Sequence, residues 1–421
     1  MRFLFLTTRY SADPADPYMT DELAEGLIAR GHSVDVLLVD WDAASPFEAC
    51  EVAGRNGERI VAVAPRALRK FGRFAFKASK LILSSHRAAA VMRRHFAGIQ
   101  HDAVIAWTPA MALGAPLREA ARIGIRNRLL IVFDFFPICQ REAGMIRSRL
   151  VYVIAKRLED RLYRLFTAFI VNLPGNADYL RRHYPVAAGA RVLHSPIWAQ
   201  TSMPPGEARA AVRRRLGLPL DRPIAIFGGQ FCEGRGLDQM LAAARIGQEA
   251  GARTVYLFMG DGRLRPTIER AARECGNIRV EPPVPRSDYL SVVGACDVGM
   301  VATVKEFTSW SFPSKTIDYL RAGVPVVTAV EPGSDYPELL RPFGVSENVP
   351  AGDAAAFQAA VEQLANNPIH RLRNRQSARN CLDEVFDVRH AVNAVLRAVD
   401  EPADFHDDHK KAIVTRAAVT A

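Results

Sequence analysis

Short apolar runs alternate with amphipathic stretches along most of this chain, and the alternation begins at once. Residues 2–7 form an apolar run, followed by a polar loop with Pro14 and Pro17. Met19, Leu23 and Leu27 then recur at helical spacing up to Gly31, and Ser33–Val39 supplies a second apolar run. Strand, loop, helix, strand predicts a parallel crossover unit. Ala103–Trp107, Leu129–Phe133 and Ala168–Val171 read as further buried strands, giving a first α/β domain over 1–195.

The stretch 196–222 is rich in Pro, Gly and Arg and reads as a linker. The pattern then restarts over 223–384. Strands are expected at Ile224–Phe227, Thr254–Met259, Asn277–Val280, Val298–Ala302 and Pro325–Ala329, with a helix over Leu237–Glu249. Val388, Val392, Val395 and Val399 make one apolar stripe, so 385–400 is expected to be a helix packing back toward the N-terminal domain. Residues 401–421 are polar and read as a flexible tail. The fold class expected is therefore α/β, with two doubly wound Rossmann-like domains facing a cleft and loops at the strand ends around one ligand site.

A chain of 421 residues with 49% hydrophobic and 24% charged residues is long enough for two cores and is not of disordered composition. No apolar run approaches the roughly 20 residues of a membrane helix, and the opening run reads as a buried strand, not a signal peptide. The six cysteines are far apart with no Cys-x-x-Cys pair, as expected of reduced thiols in a cytoplasmic protein. Part of the net charge of +10 lies in an acid-free run from Arg59 to His101, where Arg66, Arg69, Lys70, Arg73, Lys77 and Lys80 are interleaved with Phe71, Phe74 and Phe76. That mixture suits a surface resting on anionic lipid headgroups, and equally the solvated face of a helix. No nucleic-acid motif accompanies it, so no nucleic-acid partner is expected.

The candidate chemistry sits in the loops. In Pro313-Ser-Lys-Thr-Ile-Asp318, a helix opens at Ser314, Lys315 and Thr316, whose backbone amides and lysine charge suit a phosphate group. Asp318, one turn on, suits a ribose. Gly228-Gly229-Gln230-Phe-Cys-Glu-Gly-Arg235-Gly236 lets the backbone approach a phosphate that Arg235 can grip bidentately. It matches neither the dinucleotide fingerprint nor the triphosphatase P-loop. Asp40-Trp41-Asp42 and His406-Asp-Asp-His409 have metal-like spacing without a setting to fix their geometry, and no metal or other cofactor is expected.

The second half resembles the donor domain of a retaining family 4 glycosyltransferase of GT-B architecture. The resemblance rests on Phe227–Gly236, Met259-Gly-Asp-Gly262, Val284-Pro285 with Asp288-Tyr-Leu290, Ala295–Gly299 and Pro313 through Val327 in order. In the first half, Asp134-Phe-Phe-Pro137 and Arg157–Tyr163 resemble a bacterial polysaccharide subgroup with a Pro-Ser-Lys donor helix.

The resemblance implies a nucleotide-diphosphate sugar as donor and a lipid-linked or oligosaccharide acceptor. Gly229, Gln230, Arg235, Ser314, Lys315 and Thr316 would bind the donor phosphates, and Asp318 the ribose. Gln230 stands where many members have arginine, and Asp318 where they have glutamate. Trp310 occupies the place of the family's sugar-side glutamate, for which Glu306 could substitute. The leaving diphosphate is thought to help deprotonate the acceptor, with Asp134 as candidate for holding or deprotonating its hydroxyl. The alternatives are a non-hydrolysing sugar-nucleotide 2-epimerase, which shares this architecture, and a nucleotide-sugar-binding protein without turnover.

Overall fold

The computed structural model describes residues 1–11, 18–41, 49–65, 72–199, 201, 207–310 and 312–400, the side chains of 72–81, 286–287 and 368–373 aside. The chain divides into two compact units. The first comprises Met1–Cys139, Ile146–Ala199 and Val388–Ala421; the second comprises Gln140–Met145 and Gln200–Asp387.

The first unit is built on strands β1 (Arg2–Thr7), β2 (Ser33–Val39), β3 (Cys50–Ala53), β4 (Arg59–Val63), β5 (Ala103–Trp107), β6 (Asn127–Val132), β7 (Ala168–Val171) and β8 (Arg191–His194). They lie in the order β3-β4-β2-β1-β5-β6-β7-β8. All pairs are parallel except β3 with β4, which is antiparallel. A parallel sheet is covered on both faces, so its central strands are apolar throughout rather than alternating. β5 is buried at every position. Its odd and even side chains serve two cores: Val104 and Ala106 pack with Leu4 and Leu6, while Ala103, Ile105 and Trp107 pack with Phe3 and Phe5.

Helix Val388–Asp400 covers the second of these cores together with helix Met19–Ile28. Its Val392 and Val395 are fully buried, and Val388 and Val399 pack at the margin. Each large side chain so buried contributes about 1.5–3 kcal/mol. The two helices meet closely: a Cβ on Gly26 would lie 2.7 Å from Val392 Cγ2.

The second unit holds β9 (Ile224–Gly228), β10 (Val255–Met259), β11 (Ile278–Glu281), β12 (Val298–Ala302), β13 (Val326–Ala329) and β14 (Ser346–Asn348). Their order is β11-β10-β9-β12-β13-β14, with every pair parallel. Within 196–222, expected to be a linker, the structure has a helix at Arg209–Arg215. It is held by charge: Arg213 and Arg209 both bond Asp297, at 2.8 and 2.6 Å, and Asp297 also accepts from Ile224 N at 2.9 Å. An arginine-rich stretch is thus drawn into the unit by one buried carboxylate.

Each sheet has one place where the winding reverses. In the first unit it lies between β1 and β5, in the second between β9 and β12. Loops leaving the carboxyl ends of the strands diverge there and leave a crevice for a ligand.

Candidate functional site

In the second unit the loops leaving β9, β10 and β11 are stitched backbone to backbone. Gly229 N donates to Met259 O at 2.9 Å, Phe231 N to Asp261 O at 2.8 Å, and Gly260 N to Glu281 O at 3.0 Å. This closeness is what the Gly-Asp-Gly turn is for. A Cβ on Gly260 would lie 1.9 Å from Gly229 O, and one on Gly262 would lie 2.5 Å from Phe231 O. Gly236, with φ of +57°, starts helix Leu237–Glu249 flush against the end of β12, where a Cβ would meet Ala302 Cβ at 2.4 Å.

Lys315 opens helix Lys315–Arg321 and reaches back across Gly229, whose hypothetical Cβ would sit 2.9 Å from Lys315 Cε. Its Nζ lies 4.8 Å over the Phe227 ring, and no hydrogen-bond acceptor for it is present among the described residues. Burial of the ammonium, with the charge of Arg235 next, lowers its pKa to about 7. Arg235 stands partly exposed between two glycines and also has no carboxylate partner among the described residues. Lys315 and Arg235, in no ion pair among the described residues, make a strand end that favours an anion, with Asp318 the carboxylate whose charge Lys315 feels.

Two tyrosines shape the same edge. Tyr319 presses its ring on Gly299 and accepts from Gly228 N at 3.4 Å, with Ile226 O and Met300 O at 3.2 and 3.3 Å from its hydroxyl. Tyr289 fills the space beside Gly228, where a Cβ would lie 1.9 Å from its hydroxyl oxygen. Beyond β12, Thr303 donates to Glu331 Oε2 at 2.5 Å and accepts from Glu331 N at 3.0 Å, tying the ends of β12 and β13 together around a carboxylate only 1% exposed. Trp310 lies against the following turn, 3.5 Å from a Cβ placed on Gly333.

In the first unit, Thr108 at the end of β5 accepts from Phe133 N at 3.1 Å and Asp134 N at 3.4 Å. Asp134 is half-buried and its neighbour Phe135 is anchored in the core against Tyr179. Tyr184 donates to Phe136 O at 2.7 Å. Glu159, fully buried on helix Arg149–Tyr163, accepts from Ala110 N and Met111 N at 2.8 and 2.9 Å and so holds the turn after Pro109. Burial pushes its carboxyl up to about 8, against those two hydrogen bonds and with help from the charge of Asp134. Arg9 stacks 4.1 Å over Tyr18 near the end of β1, and Tyr18 in turn feels the charge of Asp134.

Comparison with known proteins identifies what these two sites belong to. Residues 18–200 match Glycosyltransferase Family 4, and residues 222–367 match Glycosyl transferases group 1. A relative from Escherichia coli (strain K12), named as a colanic acid biosynthesis glycosyl transferase, WcaI, is 22% identical over 407 residues, covering 89% of this chain and 95% of its own. The protein is a glycosyltransferase. Solved structures give the fold of the glycosyltransferase. Sucrose-phosphate synthase from Thermosynechococcus elongatus superposes with a TM-score of 0.68 at 17% identity, covering 94% of this chain and 98% of that one. Anabaena HepE in complex with UDP and glucose gives 0.62 at 13% identity, covering 95% and 99%. The two parallel-sheet α/β domains are those of GT-B enzymes. The epimerase and binding-protein alternatives gain no support.

Of the expected site residues of the glycosyltransferase, Gly229, Arg235, Lys315 and Asp318 gather at the β9 end of the second sheet. Gln230 is exposed beside Cys232, and Ser314 is exposed at the helix start. Thr316 is buried at the same helix start, its amide donating to Pro313 O at 3.1 Å and its hydroxyl 2.5 Å from that of Tyr336. Glu306 is exposed and, among the described residues, has no polar partner, whereas Glu331 is buried and fixed. Glu331, Tyr289 and Tyr319 were not singled out from sequence. A glutamate just past the β13 strand end, before Pro332-Gly333, was the available signal for the first. Asp42, the run 66–71 and the motif at 406–409 lie outside the described residues.

Proposed function

We propose that this glycosyltransferase moves a sugar, with retention, from a nucleotide-diphosphate donor to a lipid-linked or oligosaccharide acceptor in cell-surface polysaccharide synthesis. The observation that carries the reading is the pair of basic side chains, Lys315 and Arg235, in no ion pair among the described residues at the β9 end. They suit a diphosphate in charge, and stabilise it as it departs. Gly229 admits the phosphates, Gln230 and Ser314 add neutral contacts, and Asp318 holds the ribose. Protein cations supply the neutralising charge in this reading, with no metal required. HepE, of the same fold, holds UDP and glucose, and the relative WcaI is named for colanic acid synthesis; both support the proposal.

Asp134 is the group proposed to hold or deprotonate the acceptor hydroxyl. Its backbone is anchored through Thr108, which supports a positioned role. For the sugar side, the fixed carboxylate of Glu331 is a better candidate than the exposed Glu306. A peripheral place on the inner face of the plasma membrane, suggested by the basic composition of 59–101, completes the proposal. Incubation with nucleotide sugars and a lipid-linked saccharide, with product anomer read by NMR, tests it. Release of free sugar alone, or an inverted product, contradicts it.

A further inference from the structure

Helix Arg149–Tyr163 carries an apolar face that, among the described residues, no element of its unit covers. Leu150, Ile154 and Leu158 are 69, 50 and 37% exposed and repeat every four residues. Arg157 and Arg161 interleave with them, all five positions lying within an arc of about 100° on a helix of 3.6 residues per turn. Ala155, Glu159, Leu162 and Tyr163, on the opposite side, are buried. Among the described residues Arg157 and Arg161 have no acidic partner, whereas Lys156, off this face, is paired with Asp160.

We propose that this face docks on an anionic lipid surface. Aliphatic side chains enter the headgroup boundary, and arginines at their edge snorkel to the phosphates. Charge selects the occupant. A second copy would set the same unpaired arginines against each other, whereas anionic headgroups neutralise them. The described part of the 59–101 stretch is less suited, because Arg59 is bonded to Glu51 and Arg93 to Glu119. The inference deepens the membrane part of the proposed function and moves it to a different helix. It stands independently of sugar transfer, because its test reads lipid binding alone.

The test is co-sedimentation of the full chain with vesicles of phosphatidylcholine, with and without phosphatidylglycerol, at low and high salt. Leu150→Ser/Ile154→Ser/Leu158→Ser and Arg157→Glu/Arg161→Glu are compared with wild type, thermal melting confirming that each folds. Wild type is expected to bind only the anionic vesicles, and less at high salt. With about fivefold in partition per arginine, the charge reversal is expected to lose more than tenfold, and the serine variant a similar factor. Wild type that does not bind anionic vesicles, or both variants binding as wild type does, overturns the proposal. So does loss of a dimer, or of an acidic protein partner, in the serine variant while lipid binding is unchanged.

Discussion

The ammonium of Lys315 lies 4.8 Å from the centre of the Phe227 ring, at the strand end where Gly229 leaves room for its side chain. An aromatic face is a weak substitute for a carboxylate, so burial dominates and lowers the pKa from 10.5 to about 7. Between those values the unfolded lysine holds a proton that the folded one has lost, so this group's contribution to stability falls as pH drops through that window.

A bound diphosphate restores the charge, so binding should take up a proton above pH 7. We expect affinity to fall as pH rises from about 7 to 9, by up to about tenfold per unit. Calorimetry at pH 8 in buffers of different ionisation enthalpy should show uptake in wild type and none in Lys315→Met. Equal uptake in both would remove Lys315 from the site.

Gly260 is where loop packing is least forgiving, because a Cβ would meet a backbone oxygen at 1.9 Å. Gly260→Ala is expected to destabilise the protein by about 1–3 kcal/mol and weaken nucleotide binding. Gly251 also has positive φ but nothing within 4 Å of a Cβ, so Gly251→Ala should cost about 1 kcal/mol of strain with binding unchanged. Denaturation with nucleotide titration separates the two; matching effects on binding would count against close backbone packing as the cause.

Glu159 should leave a mark on the pH dependence of stability. Its carboxyl is raised from 4.5 to about 8, so the folded state keeps a proton that the unfolded state has released. Its stabilising contribution is complete below about 4.5 and is lost as pH rises to about 8, at up to about 1.4 kcal/mol per unit. Urea denaturation across this range should show a shallower decline for Glu159→Gln. An unchanged slope would mean that another group titrates.

Glu331 and Glu306 give opposite expectations. Glu331→Ala should reduce transfer at least tenfold while nucleotide affinity changes little, because the anchored carboxylate is lost but the cations remain. Glu306→Ala should stay within about twofold, as an exposed side chain without a partner contributes little. Initial rates with a saturating acceptor decide, and the reverse order would restore Glu306 as the sugar-side carboxylate.

Elements marked by a short apolar run or by apolar residues at helical spacing were legible from sequence. Ser33–Val39, Val298–Ala302 and Leu237–Glu249 have the bounds that their patterns predict. Those missed lack such a run or hide inside another signal. Cys50–Ala53 is an exposed edge strand, Arg59–Val63 opens the basic stretch, and Ser346–Asn348 is three polar residues. Helix Arg209–Arg215 reads as a charged linker until Asp297, 84 residues beyond Arg213, is seen to hold it. At the site, Lys315 and Arg235 announce themselves by residue type. Tyr289 and Glu331 do not, because what each does depends on a neighbour distant in sequence.

The most direct test of the account is calorimetric titration of UDP, GDP, ADP and CDP into wild type, Lys315→Ala and Arg235→Ala. One diphosphate should bind the wild type, and each substitution should weaken it by about 10–100-fold, the value of a charge-assisted hydrogen bond. Binding that survives both substitutions, or no binding by any of the four, would contradict a diphosphate site at the end of β9.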